Sequence, residues 1–90
     1  MPSSAEAKAA YRRAEMMMRS DRPDKALPEL DRARELAPDD LTYRAARAWA
    51  RFCAASDKAA LADETRKLLN YAAMHGEKPE IPTFWLGRVE

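Results

Sequence analysis

The sequence has little of what catalysis, metal binding or disulfide bonding requires. It contains one cysteine and one histidine in 90 residues. A lone Cys53 cannot form an internal disulfide and suits a reducing compartment, so the cytoplasm is the expected location. Metal sites need several His, Cys or clustered acids at ligand spacing, and no such set occurs. The two glycines, Gly76 and Gly87, stand too far apart for a loop that cradles phosphate. One isoleucine, one valine and three threonines leave no segment of alternating apolar and polar residues, which argues against strands. No run nears the ~20 apolar residues of a membrane span. Met1 to Glu6 lacks the basic and apolar stretches of a secretory signal. Sixteen Lys and Arg against fifteen Asp and Glu are interspersed, giving a net charge of +1. That balance exerts no broad pull on nucleic acid or an anionic membrane.

What the sequence does have is helix-forming Ala, Leu, Arg and Glu, in an order that predicts five helices. The first is expected from Ser3 or Ser4 to Arg19 or Ser20, with Ser3 and Glu6 at capping-box spacing. Its apolar stripe is Ala7, Ala10, Tyr11, Ala14, Met17 and Met18, in steps of three and four. Ser20 to Pro23 reads as a tight turn. A second helix opens at Pro23, where a missing amide hydrogen costs nothing, and tolerates Pro28. Pro38 ends it. Its inward residues are Ala26, Leu27, Leu30, Ala33, Leu36 and Ala37.

Asp39 or Asp40 caps a third helix running to Ala55. That helix carries two stripes: Arg44, Arg47 and Arg51, and Ala45, Ala48, Trp49, Phe52 and Cys53. A fourth is expected over Asp57 to His75 with Leu61, Leu68, Leu69, Ala72 and Met74 inward, stopped by a left-handed Gly76. Glu77 to Pro82 reads as an extended linker, and a fifth helix begins near Pro82 with Phe84, Trp85, Leu86 and Val89.

Ala14, Met17, Ala26, Leu30, Ala33 and Pro38 have the spacing of the small, large and proline positions of a tetratricopeptide repeat, and the segment resembles that family. Leu86-Gly87 is similar to the Leu-Gly pair that opens another repeat. The resemblance implies a first repeat over 7–40, a second over 41–79 with about five extra residues, and a partial repeat or capping helix over 80–90. It departs from the family at Arg13, Arg47 and Arg51, which stand at usually apolar positions. The implied fold is all-α: antiparallel helix pairs stacked as a short α-solenoid in one domain, expected to be a piece of a longer protein.

The resemblance also implies a function: a non-catalytic module that grips a peptide or amphipathic helix of a partner protein, or another domain of a longer parent chain, in a concave groove. A dedicated chaperone for a secretion or assembly subunit is the alternative, and nucleic-acid binding through the arginine stripe a more remote one. By register the groove falls on Lys8, Tyr11, Glu15, Met18 and Arg19, then on Thr42, Ala45, Trp49, Phe52 and Cys53, then on Ile81, Phe84 and Arg88. The partner-binding candidates among these are Tyr11, Glu15, Met18, Trp49, Phe52, Phe84 and Arg88, since large rigid aromatics and arginine dominate interface energetics. Aromatics at helical spacing are more often core than ligand site, and a register shift of one residue would turn Trp49 and Phe52 inward. Arg44, Arg47 and Arg51 fit a solvated face, pairing with acids of neighbouring helices, or contact with an acidic partner. Some members of the family clamp acidic C-termini through Lys and Asn, but Tyr11 and Glu15 occupy those positions here.

No enzyme activity, cofactor or metal is expected. His75 suits the negative end of a helix dipole. Cys53 lies in an apolar stretch on another helix, without a base beside it in sequence. Met16 to Met18 read mainly as adaptable core filler.

Overall fold

The computed structural model describes residues 2–89, with side chains over 5–89. Five helices follow one another: α1 (Pro2–Arg19), α2 (Pro23–Leu36), α3 (Leu41–Ala54), α4 (Lys58–His75) and α5 (Glu80–Val89). No strand occurs among the described residues, and the fold is all-α and repeat-like. None of these helices is long and apolar enough to cross a membrane.

Local chemistry sets most of the boundaries. Asp40 caps α3 by accepting from the Thr42 and Tyr43 amides at 2.9 and 3.3 Å. Asp57 caps α4 through the Ala60 amide at 3.2 Å. Lys58 then reaches back to the last carbonyls of α3, donating to Cys53 O and Ala55 O at 3.1 and 3.0 Å. The expected cap at Ser3 lies outside the described side chains. The turn after α1 is a Schellman motif: the Arg22 amide donates to Met17 O and the Asp21 amide to Met18 O. Asp21 holds the left-handed position, with φ 58°, where glycine is the usual occupant.

Two expected boundaries are corrected. Gly76 is extended, with φ −81° and ψ 163°, so it does not end α4 by left-handed geometry. A Cβ there would meet the Ala72 carbonyl oxygen at 2.6 Å, so the position calls for glycine for space. The expected linker over Glu77 to Pro82 is shorter than its sequence suggests, because α5 starts at Glu80 and includes Pro82. Pro82 falls in a first turn whose amides have no helical partner, so its missing hydrogen is not felt there.

Each helix packs on the next in the chain, and α3 also meets α5. With connections of three or four residues, successive helices are antiparallel. The α1–α2 contact is built from Ala7, Ala10 and Ala14 on one side and Ala26, Leu30 and Ala33 on the other, all at most 1% exposed. Alanine at five of six positions lets the backbones approach to ~8 Å, the close end of helix packing. On the rim, Arg13 pairs with Glu29 and Arg32 with Glu6.

The middle helix is buried on two sides. Ala46 and Ala50 pack toward α1 and α2, while Ala45, Trp49 and Phe52 pack on Leu69 and Ala72 of α4. The radius of gyration is 12.2 Å, the value a globule of this length should have, so the stack is short rather than drawn out. In α4 the inward row is Thr65, Leu69 and Ala72. Met74, expected inward, is 78% exposed. Two residues beyond Ala72 is about 200° of rotation, which puts Met74 on the opposite face.

Candidate functional site

The odd-numbered helices meet on one side of the molecule, called the front. There α1 and α5 form two walls and α3 a floor, enclosing a depression of about 380 Å³. Its lining includes five of the seven partner-binding candidates, Tyr11, Glu15, Met18, Trp49 and Phe84, together with the groove positions Arg19 and Ile81. Trp85 joins them, stacked on Trp49 with ring centroids 6.2 Å apart.

Each side chain is set by its helix. Tyr11 and Met18 lie two turns apart along α1, half-buried, and Glu15 sits one turn on from Tyr11 at the edge. The Tyr11 ring leans on Tyr43 at 5.1 Å between centroids. Burial, reinforced by Glu15, raises the Tyr11 hydroxyl well above its usual range, and burial raises Tyr43 likewise. Both phenols are neutral hydrogen-bonding groups across the physiological range. Phe84 projects from α5, 63% exposed, with the Arg88 guanidinium 5.6 Å from its ring centroid.

Trp49 is only 9% exposed and Phe52 8%, so neither presents a free face as a groove residue was expected to. They differ in position. Trp49 still forms part of the depression's floor. Phe52, stacked beneath it at 5.8 Å, belongs to the core against α4 and borders only a shallower hollow shared with Cys53, Lys58 and Arg88. Arg88 therefore also lies outside the main depression. Ala45, another transferred groove position, is fully buried.

The physical cause is a period one residue longer than the 34 used for the transfer. Arg19 and Ala54, which end α1 and α3, are 35 positions apart, as are Pro23 and Lys58, which open α2 and α4. With that offset Trp49 and Ala45 correspond to buried Ala14 and Ala10, while Arg44, Arg47 and Arg51 correspond to exposed Ala9, Arg12 and Met16. The arginines thus face away from the front. Arg47 pairs with Asp31 of α2, and Arg51 lies 3.9 Å from Glu64 of α4.

Trp85 was missed as a groove residue. It lies one turn after Ile81, and an α5 that begins at Glu80 places both on the wall. Starting that helix at Pro82 hid the spacing. Tyr11, Glu15 and Ile81 also line a neighbouring, more polar hollow of about 640 Å³ that includes Lys8, Thr42 and Glu77. The front surface is therefore continuous, apolar at one end and polar at the other.

The residues with reactive side chains lie apart. Cys53 is beside the start of α4 and His75 at its end, a separation of about 25 Å at 1.5 Å per residue. Burial raises the Cys53 thiol, which keeps it protonated near neutrality. His75 rests against the Tyr71 ring at 4.6 Å. Among the described residues no three His, Cys, Asp or Glu side chains gather where they could hold a metal.

No family model, no curated protein and no solved structure matches the chain.

Proposed function

We propose that the chain is a non-catalytic protein-interaction module of the tetratricopeptide kind, an adaptor or scaffold element that receives a peptide or amphipathic helix of a partner protein on its front. The depression between α1, α3 and α5 carries this reading. At about 380 Å³ it falls within the ~300–1,000 Å³ of typical ligand sites. Its walls combine aromatic and methionine side chains, the types that supply contact area at low cost in ordering. A segment with apolar side chains would enter the Met18–Trp85 end and lay its polar side chains toward Lys8 and Glu77. Repeat-like stacking supplies the rigidity, because the groove floor is also the core.

The two tryptophans of the chain, Trp49 and Trp85, both line the depression, so intrinsic fluorescence reports its occupation. Helical peptides selected from a displayed library against the intact chain should shift that emission on titration. Phe84→Glu should weaken the selected peptides by about tenfold or more, since a charge would be buried against apolar ligand surface. Selected peptides that bind with unchanged emission and ignore Phe84→Glu would place the binding surface elsewhere.

A further inference from the structure

The back of the molecule carries a second concavity, between α2 and α4, of about 420 Å³. Its floor is the outward row of α3, Arg44, Arg47 and Arg51, and Arg34 of α2 joins them. Compensation is incomplete. Arg47 is held by Asp31, and Arg51 has Glu64 only at 3.9 Å. Neither Arg34 nor Arg44 has an acidic partner within ion-pair reach among the described residues. Four guanidinium groups therefore face one close and one distant carboxylate, in a chain whose net charge is only +1. The cleft is not purely ionic, because Leu61 and Leu68 of α4, both half-buried, form one wall.

We infer that this cleft is a binding site for an acidic peptide segment that places an apolar side chain between its carboxylates. Guanidinium forks match carboxylates in paired, planar geometry, and Arg34 and Arg44 have their donors free for it. The leucine wall would receive an aliphatic side chain lying between those carboxylates. Nucleic acid is the weaker match for the same positive charge. Single strands are gripped by stacking bases on aromatic rings, and no aromatic residue lines this cleft. Glu64 at its edge, with Asp63 alongside in sequence, also breaks any continuous track for phosphates. The site shares no lining residue with the front depression, so it stands or falls independently of the function proposed above.

Fluorescence anisotropy of a labelled peptide, with leucines between paired glutamates, tests the inference on the intact chain at low ionic strength. Binding should saturate and weaken as salt is added. The double variant Arg34→Glu, Arg44→Glu should lose about tenfold or more in affinity, the equivalent of ~1.4 kcal/mol. Both side chains are exposed and unpaired, so circular dichroism of the variant should match the parent. Phe84→Ala, on the front, should leave this binding unchanged. Replacing the peptide leucines by serine should weaken it. The inference is overturned by absence of saturable binding at the lowest salt. Equal binding of the serine peptide, which would mean charge attraction alone, overturns it too. So does displacement of the peptide by a lower concentration of single-stranded RNA than of unlabelled peptide.

Discussion

The two faces of α3 show how one helix serves opposite ends. Toward the front it presents Trp49, an aromatic ring in a mainly apolar depression edged by Glu15, Arg19 and Glu80. Toward the back it presents Arg44, Arg47 and Arg51, partly balanced by Asp31 and Glu64. The front is continuous with the core, since Trp49 stacks on both Phe52 and Trp85. The back is a layer of arginines, only partly ion-paired, laid over that core. Binding and stability should therefore be coupled at the front and nearly separate at the back.

Trp49→Ala is the harshest test of that coupling. Emptying this site should cost about 3–5 kcal/mol in denaturant unfolding followed by circular dichroism. For a chain this short that is a large share of a total of ~5–15 kcal/mol. A loss below about 1 kcal/mol would show that the floor of the front is not core. Leu30→Ala, which removes a fully buried side chain at the α1–α2 contact, should cost about 2–5 kcal/mol by the same measurement.

Phe84→Ala sharpens the contrast, since an exposed residue of the same wall should change stability by no more than ~0.5 kcal/mol while weakening a front-bound peptide. On the back, a double-mutant cycle of Arg47→Ala and Asp31→Ala should give a coupling of roughly 0.2–1 kcal/mol that shrinks with added salt, because both side chains remain partly exposed to solvent. A coupling that ignores salt would make the back as structural as the front.

The smallest effect concerns Tyr11. Its hydroxyl is raised in the folded state chiefly by burial, whereas the unfolded chain ionises at its ordinary value of 10.0. Above that pH the unfolded state binds fewer protons than the native state, so stability falls as pH rises and is intact below. Tyr11→Phe should flatten the alkaline limb of the unfolding free energy, and a limb that stays as steep would locate its cause in another group.

Much of the fold was legible because the signals are local. Pro23, Pro38, Asp40 and Asp57 each act on the turn where they stand, and Ala7, Ala10 and Ala14 repeat at helical spacing. Gly76 and Pro82 misled for the same reason: each has a common local role, and here a neighbouring carbonyl and a first helical turn gave them another. The groove was half legible. Tyr11 and Met18 follow from their own helix, and Phe84 and Arg88 were both placed from the Leu86-Gly87 pair, whereas Phe52 depended on transferring a period of 34 residues across a pair whose bends recur at 35. A one-residue slip turns a helix by about 100°, enough to exchange front for core.

By itself, the sequence determined that this chain is helical, where its helices turn, and which residues are small enough for close packing, since propensity, capping and helical spacing act within a few residues. Only the tertiary structure decided which aromatic lies beneath the front and which stands on its wall, and that the arginines gather in a cleft behind. Those outcomes depend on rotations accumulated through α2 and α4 and on which helices finally meet, and no single stretch of sequence encodes that meeting.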